Sequence, residues 1–459
     1  MGRRYRGALE RQSTGREPER GELLSSDSVA SGSALLFWAK VAGNAGFFVA
    51  VLMLARDLGP SGRGTIAFIT VTALVIARVA GLGVGEATTV FAARRSQRRD
   101  VLLSNLVLFM LASSLLAAGL ACAALLLLGD ERPAGVGRSE LAILVAGTLA
   151  SALVEAGAAF LLGCGRLRRL ALITATASWV YPLLLAVVWL NAGLTVTRAA
   201  LAWVAAEGLR ALVLLQQSAH GVALARPRLG LLVDSIRFGI RAWVGSFARF
   251  LNFRIDQILM GLLASEAALG IYAVAVNASE VLLYLPAATA TALLPVAARA
   301  EPGQRGQQTL LAFRSAALVT TGAVVVAGIL GPLLLPVVFG TAFRASVEPF
   351  LWLLPGALGF AAIAIFSNAL VASTSPGLSS LGPFVSLVVG VALDLVLIPR
   401  FGATGAAAAA STAFLAGGCV AVGAYARRSP FAWKALFLPH RGDFEVLSAL
   451  ARPLRAGPK

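Results

Sequence analysis

The sequence predicts an all-α membrane protein of about twelve transmembrane helices in two six-helix lobes, with both termini cytoplasmic. Three observations predict it: too little charge for a water-facing surface, apolar runs with the length of bilayer crossings, and basic residues that alternate in density between those runs. Of 459 residues 58% are hydrophobic and 13% charged, and the mean hydropathy is +0.82. Soluble domains carry about 25% charge, so most of this surface must meet lipid. Strands of a membrane barrel would be about 10 residues of strict alternation. These runs are about twice that length and uniformly apolar, which leaves the helix, the element that satisfies its own backbone in hydrocarbon.

Residues 1–32 carry six Arg among Glu, Ser, Gly and Pro with no apolar period, and read as a disordered cytoplasmic tail. The apolar stretch from Ser33 to Ala55 is too long for the core of a secretory signal and runs straight into Arg56-Asp57, so it is the first spanning helix. The other runs fall at 65–91, 101–128, 140–163, 170–192, 199–219, 238–263, 268–297, 309–339, 346–372, 378–399 and 403–426, each near the roughly 20 residues of one crossing. Helices one to six make a lobe over 33–220, helices seven to twelve a second over 221–426, and 427–459 forms another cytoplasmic tail. In that tail Phe431 to Phe437 either lies along the inner surface or is solvated. Trp38 precedes Gly64 by 26 residues and Trp243 precedes Gly270 by 27. This faint repeat divides the chain at the same midpoint, as in transporters built from duplicated halves.

Orientation follows from the basic residues, 36 of 39 being Arg. With the N-terminus inside, the inner connections hold eleven (94, 95, 98, 99, 166, 168, 169, 226, 228, 299 and 305), the tails thirteen, and the outer connections seven (56, 63, 132, 138, 198, 344 and 400). That asymmetry is the positive-inside bias. The inner connection Pro376 to Gly382 contains no basic residue. The formal charge of +17 reports membrane orientation and no nucleic-acid partner, because it is confined to short breaks and tails. Three cysteines, at 122, 164 and 419, and two histidines leave no material for a zinc site, a disulfide framework or a Ser-His-Asp site. No enzyme activity, metal or cofactor is expected.

Ionisable side chains inside a span cost about 2.5–3.5 kcal/mol on insertion scales, so each is a functional candidate. Arg78 sits mid-run with no acid within four residues, either facing a wet cavity or paired with Glu86, Glu155 or Glu280 from elsewhere. The seventh run carries Arg249, Asn252, Arg254 and Asp256. On an unbroken helix Arg249, Asn252 and Asp256 fall within about 60° and Arg254 about 140° from Arg249. That stripe is either a cavity wall or a structural ion pair. Lys40 and Asn44 share a face one turn apart, although Lys40 is also near enough to the inner interface to snorkel. Glu207 and Arg210 are three apart and are expected to neutralise each other. Glu155, Glu280 and Asp394 are isolated in sequence, each a coupling site or the acid half of a pair. Gly81-Leu82-Gly83-Val84-Gly85 lacks the spacing and preceding strand of a nucleotide loop, and reads as small residues that let helices approach. Leu285-Pro286, Leu294-Pro295, Gly331-Pro332 and Leu335-Pro336 are expected to loosen helices eight and nine.

Four segments carry a family likeness. Leu58-Gly59-Pro60-Ser61-Gly62-Arg63-Gly64 follows the first helix. Arg254-Ile255-Asp256 precedes Leu269-Gly270-Ile271-Tyr272-Ala273. Ala292-Leu293-Leu294-Pro295 ends the eighth helix, and Leu397-Ile398-Pro399-Arg400-Phe401-Gly402-Ala403-Thr404-Gly405-Ala406-Ala407 joins the last two. In this order they resemble the polysaccharide flippases of the MOP exporter superfamily, the Wzx type. The resemblance implies a MATE-like V-shaped pair of lobes in the bacterial inner membrane. It implies alternating access, and export of a lipid-linked oligosaccharide to the outer leaflet for cell-surface polysaccharide synthesis. A polysaccharide polymerase and glycosyltransferases are the implied protein partners, beside the glycan substrate and the bilayer.

Such a cargo is a polyprenyl diphosphate glycan. Arg78, Arg249, Arg254 and Lys40, with Asn44 and Asn252, are the candidate contacts for its diphosphate or acidic sugars. Asp256, Glu155, Glu280 and Asp394 are the candidate coupling or ion-pair acids. Moving negative charge outward across an inside-negative membrane is downhill by about 2.3 kcal/mol per charge per 100 mV, and no Walker loop is present. The rival readings are a cation-coupled drug exporter, which would depend on the acids, and a peptidoglycan lipid-precursor flippase, against which twelve spans argue. A membrane enzyme would need more than the eleven-residue outer break Gly129 to Ser139, and a scaffold would not need buried arginines.

Overall fold

The computed structural model describes residues 26–94, 98–127, 136–222, 225–299, 302–373, 376–429 and 436. Among these, every regular element is helical. In order they are α1 (Ser26–Ala80), α2 (Val84–Arg94), α3 (Arg99–Leu127), α4 (Arg138–Gly163), α5 (Leu167–Ala177), α6 (Val180–Ala192), α7 (Val196–Ala219), α8 (Leu229–Leu251), α9 (Ile255–Leu263), α10 (Glu266–Glu280), α11 (Tyr284–Arg299), α12 (Pro302–Phe339), α13 (Val347–Leu353), α14 (Gly356–Ala372), α15 (Pro376–Ser379) and α16 (Leu381–Arg428).

Two of these are each two helices joined at a corner. Gly59 takes φ 64° inside α1 and Gly402 takes φ 54° inside α16. A left-handed residue ends a helix, glycine adopts that conformation without penalty, and Pro60 then starts the next leg where a missing N–H costs nothing. Both corners fall in turns read from the sequence. Among the described residues eight helices are long and apolar enough to cross a membrane, nine if Thr341–Leu353 and Gly356–Ala372, bent by 47°, form one broken span. Treating Gly59 and Gly402 as corners between spans raises this to eleven among the described residues, and a count of twelve requires α8 and α9, which are not among those helices, to make one further crossing. Lipid-facing helices are recognisable by exposed apolar side chains: Leu116, Leu120 and Leu127 on α3, and Ile329, Leu333 and Val337 on α12, are all more than 60% exposed. In water such a surface would aggregate.

Several runs that the sequence reads as continuous are interrupted. The run 65–91 breaks at residues 81–83, where Leu82 (φ 43°) and Gly83 (φ 79°) are left-handed. The run 268–297 breaks at a 3-10 turn, Val281–Leu283. Pro286 supplies the reason, since its ring lacks an N–H and crowds the carbonyl of Leu282. At Pro332 and Pro336, where loosening is expected, α12 stays helical throughout. Residues 1–25 of the expected N-terminal tail lie outside the described residues. Its last seven do not form a tail, because α1 already begins at Ser26, where Ser26-Asp27-Ser28 are residue types that favour helix starts. Of the second tail, 430–435 and 437–459 lie outside.

The two halves of the chain meet through an apolar core that joins Leu54, Phe68 and Trp203 to Met260, Tyr272 and Ile398, and through a second that joins Val51 and Ala55 to Val274 and Phe339. At one end of the seam Gly64 and Gly270, the two glycines paired by the internal repeat, face each other. A Cβ on Gly270 would sit 2.8 Å from the carbonyl carbon of Pro60. There Thr65 Oγ1 donates to Glu266 Oε2 at 2.9 Å and Arg56 Nε to the Val338 carbonyl at 2.8 Å. At the other end Gly83 lies against Gly239, and a Cβ on Gly83 would be 2.8 Å from Trp243 Cβ. Asn105 and the backbone of Arg228 exchange two hydrogen bonds beside it, 2.9 and 3.0 Å long. The seam is thus closed at both ends, with space left between.

Candidate functional site

That space is a cavity of about 460 Å³. Both legs of α1 line it with Asn44 and Arg63, α4 with Ser151, α7 with Arg210, and the second half with Arg254 and Glu280. The corner at Gly59 is what brings the two legs of α1 to one cavity. A straight α1 would carry Asn44 and Arg63 about 28 Å apart at 1.5 Å per residue. Trp203 packs against α4 at Gly147, where there is no side chain, and the indole forms part of the wall.

Of the predicted contact residues, Arg254 and Asn44 line this cavity. Arg254 Nη1 is 2.7 Å from Glu280 Oε1, so the two sequence-isolated groups form a pair about a quarter exposed at the cavity wall. The side chain of Lys40 lies outside the described residues. Arg78 does not line the cavity. Instead it is held by Glu155 and, at 2.7 Å, by Glu86, and donates to Ser246 Oγ at 3.2 Å. Ser246 in turn donates to Glu86 at 2.8 Å, and Trp243 Nε1 to the Arg78 carbonyl at 3.0 Å. The expectation that Arg78 faces a wet cavity thus gives way to its alternative, an ion pair, and the pair ties α1, α2 and α4 to α8 beside the Gly83–Gly239 contact. One cation meeting two carboxylates has no charge left to attract an anion.

The stripe on the seventh run is divided. The helix is interrupted between Leu251 and Ile255, so 100° spacing does not carry across, and Arg249 and Asp256 do not share a wall. Arg249 is exposed and makes no hydrogen bond or ion pair among the described residues. Asn252 Nδ2 donates to the carbonyls of Ala248 at 3.0 Å and Pro383 at 2.8 Å. Asp256 accepts from Tyr272 Oη and from the Gln257 N–H at 2.7 Å. Asn252, Asp256, Ser386 and Asp394 surround a second cavity of about 10 Å³, the size of one water, between α9 and α16. Asp394 is 2% exposed and its Oδ1 has no hydrogen-bond partner. Glu207 and Arg210 stand 3.6 Å apart, as their spacing expects.

Arg63 is the residue that sequence reasoning misplaces. Counted there in an outer connection, it is 5% exposed inside the second leg of α1 and lines the cavity. The available signal is Pro60: proline favours the first helical position, so Arg63 already belongs to the helix. Among the described residues no group of three or more His, Cys, Asp or Glu side chains is placed to hold a metal ion.

The sequence profile of a family described as polysaccharide biosynthesis protein matches residues 29–301. Among curated proteins none matches by sequence. Among solved structures the chain is similar to the lipid II flippase MurJ in an inward closed conformation, with TM-score 0.74 at 13% identity over 94% of each chain. It is also similar to an inward-facing multidrug resistance MATE family transporter of the MOP superfamily, with TM-score 0.64 at 16% identity over 84% of this chain and 94% of that one. A MOP superfamily transporter from Pyrococcus furiosus gives 0.59 at 17% identity over 90% and 96%. At these identities the likeness is one of fold.

Proposed function

The chain belongs to the polysaccharide biosynthesis protein family, and from that premise we propose that it is a secondary transporter that flips a polyprenyl-diphosphate-linked oligosaccharide from the cytoplasmic to the outer leaflet by alternating access. The observation that carries the reading is the cavity of about 460 Å³ walled by both halves and closed at both ends of the seam. Opening one seam while the other stays shut would expose that cavity to one leaflet at a time. Arg254 and Asn44 are the predicted substrate contacts that line it, and Arg249, Asn252 and Lys40 lie off it or outside the described side chains. Arg78 acts on this reading as part of the closure and not as a phosphate ligand. Asp256 and Asp394 are the best-placed coupling acids, while Glu155 and Glu280 serve as ion-pair partners.

Two measurements test it: surface glycan in a bacterial flippase-null strain carrying this chain, and lipid-linked glycan retained on the inner leaflet. Restored surface glycan that is lost with Arg254→Gln supports the proposal. No restoration with a correctly inserted wild-type chain refutes it. The buried Asp394, whose Oδ1 has no hydrogen-bond partner, favours a second reading, a cation-coupled drug exporter. Proton- or sodium-driven efflux of an organic cation that disappears with Asp394→Asn, without glycan export, would establish that reading instead.

A further inference from the structure

The cavity's charges do not cancel, and its unused hydrogen-bonding atoms are of one kind. Arg210 is paired with Glu207 and Arg254 with Glu280. Arg63 is 5% exposed and has neither an ion pair nor a hydrogen bond among the described residues. Four buried polar atoms without partners belong to cavity-lining residues: Arg63 Nε, Arg210 Nε, Asn277 Nδ2 and Ser151 Oγ. Three of these are donors only, and the hydroxyl can donate. Buried donors left unpaired are rare and call for an explanation, and an uncompensated guanidinium inside a membrane helix is costly unless something negative meets it.

We infer that Arg63, with Ser151 on the wall of the same cavity in the first half and Asn277 in the second, forms the subsite that receives an anionic, acceptor-rich group of the cargo, and that Arg63 selects anionic over neutral cargo. The inference rests on the transporter reading above and adds the residue that sets its charge preference. A planar guanidinium suits a phosphate or carboxylate, offering two parallel donors. Because the donors come from both halves, such a group would bridge the seam and favour the closed form, as a ligand shifts a conformational equilibrium only through differential contacts. The matching chemistry has two sources, the diphosphate and a sugar carboxylate.

The test uses the purified full-length protein in detergent at constant ionic strength, with sodium pyrophosphate, sodium glucuronate and glucose as probes in thermal unfolding. Wild-type protein is expected to gain about 2–4 °C from one of the two anions at saturation and nothing from glucose. Protection by pyrophosphate assigns the diphosphate and protection by glucuronate the sugar. In Arg63→Gln the protection disappears, and the probe-free Tm is equal to or above wild type, because an unpartnered buried cation has been removed. Arg63→Lys keeps part of the protection. A large fall in the probe-free Tm of Arg63→Gln, undiminished protection in that variant, or no protection of wild type by either anion overturns the inference. Failure of the wild-type chain to restore surface glycan would refute the flippase reading while leaving these binding results to stand or fall alone.

Discussion

If the glycine contacts at the two ends of the seam are opposing closures, adding one methyl group at either end should open that end alone. In Gly270→Ala the new Cβ would overlap the Pro60 carbonyl oxygen and lie 2.8 Å from its carbon, against the 3.4 Å of ordinary contact, so the carbon alone requires α10 to move away from α1 by at least 0.6 Å (3.4 − 2.8) and the oxygen requires more. The same displacement takes the Thr65–Glu266 bond from 2.9 Å to 3.5 Å, past the useful range for a hydroxyl donor. A partly buried hydrogen bond to a charged group contributes about 1.5–3 kcal/mol. Even the lower figure shifts the population about tenfold toward the form open there. Gly83→Ala should do the reverse at the other end, where its Cβ would meet Trp243 Cβ at 2.8 Å. With Cys122, Cys164 and Cys419 replaced by Ala, spin labels at Ser61→Cys with Ala345→Cys, and at Arg94→Cys with Arg237→Cys, report the two ends by electron-electron distance measurement. Gly270→Ala should lengthen only the first distance and Gly83→Ala only the second. If both substitutions move the same pair, or neither moves any, the two glycine contacts are not opposing closures.

The Arg78 network gives a second prediction. Glu155→Gln alone leaves Glu86 as counter-ion and should have little effect. Glu86→Gln combined with Glu155→Gln strands the guanidinium. Stranding a fully buried partner costs about 3–5 kcal/mol, and with the side chains about a quarter exposed, about 1–2 kcal/mol is expected, read as a lowered Tm that Arg78→Gln in the same background restores. At the cavity wall, Gly147→Ala would put a Cβ 2.8 Å from Trp203 Cη2. The ring has to tilt into the cavity, which should destabilise by about 1–3 kcal/mol and shift the Trp emission. An unchanged emission spectrum would mean that the wall is not formed as described.

The helical class of this chain is a consequence of composition. Apolar runs of about 20 residues have no other way to satisfy their backbones in hydrocarbon, and the glycine-proline corner at Gly59-Pro60 is legible because φ preferences are local. The pairing of Glu207 with Arg210 is legible for the same reason, being three residues apart on one helix. What only the tertiary structure decides is which distant groups meet. Nothing in the sequence assigns Arg78 to Glu86 and Glu155, or Arg254 to Glu280, since those partners lie on other helices whose packing depends on the whole seam. Nor does periodicity survive the interruption at Asn252 to Arg254, which sends Arg249 and Asp256 to different surroundings. Arg63 shows the limit most plainly. Charge counting by loop places it at a surface, while a corner four residues earlier turns it into a helix and the packing of both halves leaves it beside a cavity without a counter-ion. Local rules determine the elements, and whether a charge is compensated is a property of the assembled fold.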